Sequence, residues 1–387
     1  MIEWFFFFLI IQVIHFLGTW KLYIKAGRKP WEAIIPIYNA IVLMKIINRP
    51  TWWVILLFIP IINLLMFQVI WVETVRSFGK YKTLDSILVV ASLGFYIYYL
   101  NYIEKVAYVK DRSLKSRTEL GEWVSSIVFA IIAATLVHTY IMQPYTIPTS
   151  SLEKSLLIGD FLFVSKFHYG ARAPMTTVAA PMVHDSLPFV GLKSYLQKPQ
   201  LPYFRIPGFQ DIKRNEIVVF SWPVDTVQRF FDTSNIHIKK PIDKKSNYVK
   251  RCVAIPGDSL EIRQGYIYIN GEKTVLPDRA KTQYMHKVVT KGQQLSGATL
   301  KRYGVTEGRN FGEYYNLNLT DENAAKLKNN PLIKGVTKQL TPSGNFNSRV
   351  FPHNQQYPWS DDNYGPIYIP EAGKTVALNS ESLPFYK

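Results

Sequence analysis

The sequence predicts an α-helical transmembrane region followed by a mainly antiparallel β domain. Three observations predict it. Residues 1–142 are dominated by apolar runs. Residues 143–387 break into short alternating runs separated by Gly, Pro and Asn. The hydrophobic fraction of 48% therefore averages two different textures. Apolar runs of about 20 residues read as membrane spans, and short alternating runs bounded by turn residues read as antiparallel strands. A chain of 387 residues has room for two or three domains. The expected division is a multi-span membrane region over 1–120, a transmembrane anchor over 121–143 and an extracytoplasmic β-rich domain over 144–387. Insertions are expected at 174–210 and 275–350.

Four stretches are candidate spans: Ile2–Leu17, Trp52–Val72, Ser86–Ile103 and Trp123–Met142. The second carries a Trp pair at one end and Trp71 at the other, an aromatic-belt pattern. The first lacks a basic n-region and a small-residue cleavage site, so it reads as an anchor and not as a cleaved signal. Basic residues concentrate in two loops. One holds Lys21, Lys25, Arg28, Lys29, Lys45 and Arg49; the other holds Lys105, Lys110, Arg112, Lys115 and Arg117. The positive-inside rule assigns both loops to the cytoplasm, which leaves the N-terminus and everything after Met142 outside. Ile35–Ile47 is too short to span and is expected along the membrane surface. His138, near the end of the last run, reads as an interfacial polar contact.

Past Pro144 the expected strands are Phe161–Ser165, Glu216–Phe220, Tyr248–Ile255, Leu260–Arg263 and Tyr266–Ile269, with strand-like Pro366–Ile369 and Thr375–Leu378 near the end. Asn270-Gly271 is a strong hairpin signal. Residues 174–210 mix Pro with large apolar residues and suggest lipid contact. Residues 275–350 are polar, with one helix expected at Thr320–Lys328. No internal repeat or low-complexity run is evident.

Net charge is +17, with +6 in residues 1–142 and +11 in the remainder. No nucleic-acid motif accompanies it, so attraction to an anionic bilayer is the simpler reading. The single cysteine, Cys252, lies in an alternating run and reads as a small buried hydrophobe. No Cys/His pattern has metal spacing, and neither metal nor cofactor is expected.

The chemistry is concentrated in two places. Pro144-Tyr145-Thr146-Ile147-Pro148-Thr149-Ser150-Ser151-Leu152 sets small hydroxyls just past the last apolar run. Lys250 lies in the apolar stretch Tyr248-Val249-Lys250-Arg251-Cys252-Val253-Ala254-Ile255. A serine hydroxyl is a weak nucleophile and needs an adjacent base. Lysine serves as that base only when neutral, and burial lowers its pKa from ~10.4. The plainer alternatives are a helix cap at Thr-Ser-Ser and an exposed strand lysine.

Residues 122–273 resemble bacterial type I signal peptidase, the membrane-bound serine/lysine leader peptidase. The serine block stands as Ile147-Pro148-Thr149-Ser150-Ser151-Leu152-Glu153-Lys154-Ser155-Leu156. A second block stands as Gly159-Asp160-Phe161-Leu162-Phe163-Val164-Ser165-Lys166, followed by Tyr169-Gly170. The lysine block runs from Tyr248 to Gly257-Asp258, followed by Ile269-Asn270-Gly271. The multi-span N-terminal region resembles the Bacteroidetes-type form. The resemblance implies a β catalytic domain of the signal-peptidase type, in a multi-pass protein of the bacterial inner membrane with its catalytic domain on the periplasmic side. It implies Ser151 as nucleophile, Lys250 as base, and Thr149 with the Ser151 N–H as oxyanion donors. It implies that Tyr145, Ile147, Pro148, Leu152, Leu156, Tyr248 and Val249 line apolar pockets for an Ala-x-Ala-like substrate. The implied partners are signal peptides of exported preproteins, the lipid bilayer and the protein-export machinery.

The chain departs from the family's pattern. Leu152 stands in place of the family's Met, Lys154-Ser155 in place of its Pro-Thr, and Ser150 in place of its small glycine. The family's further Gly-Asp-Asn…Asp-Ser-Arg block does not follow Gly257-Asp258; Asp361-Asp362-Asn363-Tyr364-Gly365 is a superficial echo. Its absence predicts a shortened chain or a degenerate member, with an unpaired sheet edge. The competing functions are a catalytically impaired member that binds leader peptides or acts within a secretion assembly, and a repressor-type autopeptidase, which the spans argue against.

Overall fold

The computed structural model describes residues 2–227 and 237–386. Contacts divide the chain into two compact units. One comprises Met1–Pro144, Phe163–Gln210 and Ser221–Asn247; the other comprises Tyr145–Leu162, Asp211–Phe220 and Tyr248–Lys387.

The first unit opens with helices α1 (Ile2–Lys25), α2 (Tyr38–Ile46), α3 (Trp53–Leu56), α4 (Ile62–Ser77), α5 (Thr83–Ala91), α6 (Tyr96–Tyr102) and α7 (Glu119–Leu136). Thr118 starts α7, its hydroxyl accepting from the Gly121 N–H at 3.2 Å. A π-helical turn, Val137–Ile141, extends α7. Among the described residues, two helices are long and apolar enough to cross a membrane: Ile2–Lys25 and Glu119–Ile141.

The other two expected spans are broken. Pro60 and a left-handed Ile61 (φ 70°) divide Trp52–Val72 into α3 and α4. A β-branched residue at positive φ is a genuine outlier. Ile37 (φ 66°) holds the same conformation before α2. Both lie in one local pattern, Ile35-Pro36-Ile37-Tyr38-Asn39 and Ile59-Pro60-Ile61-Ile62-Asn63. This is a short internal repeat where none was expected. Ser86–Ile103 becomes α5 and α6, which together meet the length and hydropathy of a span only as a pair bent by 113°. The bend falls at Gly94 (φ 88°), where a Cβ would sit 2.7 Å from the Trp71 ring.

Of the expected surface stretch Ile35–Ile47, Ile35 and Ile37 are exposed, and helix α2 packs inward. Val42, Met44 and Ile47 are fully buried in the helical core with Leu22, Ile62 and Leu100. A buried charge cluster lies in the same unit. Glu73 on α4 accepts from Arg49 (2.9 Å) and from Arg112, and Arg112 also donates to Ser77 Oγ and the Ile47 carbonyl, both at 2.8 Å. Buried charges persist when paired and hydrogen-bonded in this way.

The strands follow in order: β1 (Met142–Thr146), β2 (Phe161–Ser165), β3 (Ile217–Ser221), β4 (Asn247–Arg251), β5 (Ser259–Arg263), β6 (Tyr266–Ile269), β7 (Glu272–Lys273) and β8 (Tyr284–Thr290). Helix α8 (Gly297–Arg302), β9 (Gly308–Asn310), β10 (Tyr314–Leu319), helix α9 (Asp321–Lys328), β11 (Ile333–Lys338), β12 (Tyr364–Tyr368) and helix α10 (Leu383–Tyr386) follow. β1 pairs with β2, and β3 with β4. One four-stranded sheet has the order β12-β5-β6-β7, a second β11-β8-β10-β9, and their ladders are antiparallel. Asn270 and Gly271 take φ 54° and 85° in the β6–β7 turn, the geometry that Asn-Gly favours.

Three expectations are corrected here. Tyr248–Ile255 is strand only from Asn247 to Arg251, because Ile255–Asp258 is folded into a turn by the Asp258 carboxylate on the Ile255 N–H. Thr375–Leu378 is not a strand. Residues 275–350 hold a sheet-and-helix layer as well as α9, with Val288, Leu317, Leu319 and Leu327 at its core. The outer edge of β5 carries β12, with Ile367 opposite Leu260 and Tyr368 opposite Ser259.

Candidate active site

Side chains alternate along a strand, so Tyr248 and Lys250 share one face of β4 while Val249 and Arg251 share the other. Lys250 Nζ donates to Ser151 Oγ at 2.6 Å and lies 5.8 Å from the Tyr248 ring centroid. Burial lowers the Lys250 pKa from the ordinary lysine value. Loss of water disfavours the ammonium, and no carboxylate opposes that effect. From the opposite face, Arg251 donates to the Asn215 carbonyl (2.6 Å) and to Ser155 Oγ (2.9 Å). Neighbouring residues of β4 therefore hold two points of the serine loop.

The loop is fixed from within. Ile147 is buried and extended, its N–H donating to the Asp160 carbonyl and its carbonyl accepting from the Gly159 N–H, both at 2.9 Å. Ser150–Leu152 forms one 3-10 turn; Leu152 is buried beneath it and Ser151 is exposed above it. The Leu152 carbonyl accepts from the N–H groups of Ser155 (2.9 Å) and Leu156 (2.8 Å). Thr149 is extended (φ −137°) and exposed, and its side chain does not cap the turn. Thr-Ser-Ser thus starts a short 3-10 helix with Thr149 in the N-cap position, but without a side-chain cap bond.

Lys154 has φ 73°. Proline is locked near −65°, so the family's Pro cannot occupy this backbone. Lys154 Nζ donates to the Gly304 carbonyl at 2.9 Å. The Ser150 hydroxyl donates to Glu307 Oε1, and Glu307 Oε2 accepts from Asn318 Nδ2 at 3.0 Å. Nothing in the sequence pattern marked Glu307, which arrives from 157 residues away.

Of the expected pocket residues, Ile147 and Leu152 are buried, Tyr145, Leu156, Tyr248 and Val249 are half-buried, and Pro148 is exposed. Cys252 donates its thiol to the Ala254 carbonyl at 3.3 Å, and burial pushes its pKa up, so it remains a thiol. Among the described residues, no three His, Cys, Asp or Glu side chains are grouped to hold a metal ion.

The family model described as signal peptidase, peptidase S26, matches residues 120–318. The model of a family of unknown function (DUF5684) matches residues 31–111. Signal peptidase I of Rickettsia massiliae is 27% identical over 162 residues, covering 42% of this chain and 47% of that protein. Signal peptidase I of Rickettsia felis is 26% identical over the same length and the same shares. Signal peptidase I of Bacillus licheniformis is 22% identical over 231 residues, 59% of this chain and 92% of that protein. The chain spans about half the length of the Rickettsia relatives it matches. No solved structure matches.

Proposed function

This chain belongs to the signal peptidase family, peptidase S26, and on that premise we propose that it is a membrane-anchored serine endopeptidase that removes signal peptides from exported proteins. The observation that carries the proposal is the 2.6 Å contact between Lys250 Nζ and Ser151 Oγ. A neutral lysine accepts the hydroxyl proton along that line as Ser151 Oγ attacks the scissile carbonyl. The lysine then gives the proton to the leaving amine, and water hydrolyses the acyl-serine ester. Thr149 and the Ser151 N–H are the proposed oxyanion donors, an arrangement typically worth about 2.7–4 kcal/mol per donor.

Cleavage after small residues, Ala-x-Ala-like, belongs to the same proposal. So do Tyr145, Ile147, Pro148, Leu152, Leu156, Tyr248 and Val249 as substrate-lining positions. A leader peptide added as a strand beside β4 meets Tyr248 and Lys250 on alternate residues. Residues 121–143 act as the anchor next to the catalytic domain, which we assign to the periplasmic side of the inner membrane. Glu119–Ile141 supports the anchor by its length and apolar character.

The test uses the full chain purified in detergent and a leader peptide carrying one Ala-x-Ala site, with products identified by mass. One cut after the second Ala, lost in Ser151→Ala and in Lys250→Ala, supports the proposal. Binding of the peptide without any cut favours the impaired binder instead. Cutting by both variants rejects the serine/lysine mechanism.

A further inference from the structure

The serine loop is gripped from the chain segment 279–307, which brackets the start of the second four-stranded sheet. Three bonds do this. The Ser150 hydroxyl donates to the Glu307 carboxylate, Lys154 Nζ donates to the Gly304 carbonyl at 2.9 Å, and Ser155 Oγ donates to the Arg279 carbonyl at 2.7 Å. Two of them have built support. Gly304 holds φ 65°, and a Cβ there would meet Asn323 Nδ2 at 2.9 Å, so only glycine offers its carbonyl to Lys154 without displacing Asn323. Glu307 is tied to β10 twice, its carbonyl accepting from the Asn318 N–H and its Oε2 from Asn318 Nδ2, both at 3.0 Å. β10 is in turn rooted by buried Leu317 and Leu319.

We propose that Glu307 is a positioning residue for peptide hydrolysis, acting through Ser150 to hold the one-turn helix that presents Ser151. The proposal rests on the serine/lysine reading. A three-residue 3-10 turn has little stability of its own, and Ser150 is its first residue. A charge-assisted bond at that point fixes the angle at which the next residue meets Lys250. Glu307 does not touch the reacting atoms; its loss loosens the nucleophile and leaves the substrate groove intact.

The experiment measures kcat and KM on one leader peptide for the wild type, Glu307→Ala, Glu307→Gln, Ser150→Ala and the Ser150→Ala/Glu307→Ala double variant, with Ser151→Ala as control. Glu307→Ala and Ser150→Ala should each lower kcat about tenfold, within the ~10²-fold that a 1 Å misplacement can cost, with KM unchanged. The double variant should be no worse than either single variant, because both remove one bond. Glu307→Gln should recover most of the rate, since its amide oxygen still accepts from Ser150. Additive losses, a rise in KM alone, or wild-type rates in both single variants would overturn the proposal. If Glu307→Ala melts early, Ser150→Ala and Glu307→Gln carry the test. An active Ser151→Ala sinks the serine/lysine reading itself and is seen separately.

Discussion

At the scale of single residues, two contacts support the proposed choice among three adjacent hydroxyls. Lys250 Nζ meets Ser151 Oγ, while Ser150 is engaged by Glu307. The flanking blocks pointed to Ser151 and Lys250, but no pattern accounted for Lys154. Its reason is a backbone angle, φ 73°, which no reading of composition or period reveals. The proposed dyad makes three predictions. Ser151→Ala should lower kcat by ~10⁶, the usual loss for a nucleophile that works with its base. A peptide assay that finds Ser150→Ala equally inert would instead mean that the serine block is misaligned by one. Lys250→Arg should be as inert as Ser151→Ala, because a guanidinium keeps its proton. The pH profile has a definite sign. The base must be neutral, so kcat/KM rises with pH through the Lys250 pKa and falls away on the acid side. Burial places that limb below the ~10.4 of a free lysine. A limb at or above that value, read from a kcat/KM–pH series, would show that Lys250 is not the base.

At the scale of elements, legibility tracked how local the signal was. Phe161–Ser165 and Tyr266–Ile269 were readable to the residue, because alternation and turn signals lie within their own few positions. Helix α9 was readable with Thr320 or Asp321 as its start, and Thr320 is the cap, its hydroxyl accepting from the Asn323 N–H at 3.1 Å. The sheet built on β8 was not. His286 occupies an inward position, buried with its Nδ1 2.8 Å from the Tyr284 carbonyl, and this breaks the apolar alternation. β10 does alternate, with Tyr315, Leu317 and Leu319 inward, but its polar surroundings masked it. The turn between β4 and β5 depends on one carboxylate. Asp258 is buried, accepts from Arg214 and from the Ile255 N–H (2.9 Å), and the Arg214 guanidinium holds its pKa below the usual carboxylate range. Asp258→Ala should therefore cost about 1–3 kcal/mol, the range for stranding buried partners. Because the native pKa is depressed, this contribution is complete above the unfolded value of ~3.9 and is lost as pH falls through the native one. Denaturant melts of the two proteins should differ at pH 7 and converge toward pH 2. A constant difference across that range would mean that the Asp258 charge is not what stabilises the turn.

At the scale of the whole molecule, the number of membrane crossings decides where the proposed active site works. Hydropathy alone suggested four spans, because an average over a window does not register Pro60, Ile61 or Gly94. The fold leaves two continuous helices, Ile2–Lys25 and Glu119–Ile141. Between them lie short helices packed around Glu73 and the core of Leu22, Met44 and Leu100. Broken backbone is tolerated at membrane depth only where protein satisfies its polar groups. Counts of two and of four both put the N-terminus and the β domain on one side, whereas three, with the bent α5–α6 pair as one span, would part them. Two and four differ over the segment around Arg76, Lys80 and Lys82, which four spans would export. With two crossings, these residues join Arg28, Lys29, Lys110 and Arg112 on the cytoplasmic side, and every basic cluster between the spans then obeys the positive-inside rule. Reporter fusions after Lys29, Lys80 and Arg112 should all read cytoplasmic, and one after Ser246 should read exported. An exported signal at Lys80 alone would restore four spans and leave the proposed function standing. A cytoplasmic signal at Ser246 would put Ser151 and Lys250 on the wrong side for exported substrates and would reject that function.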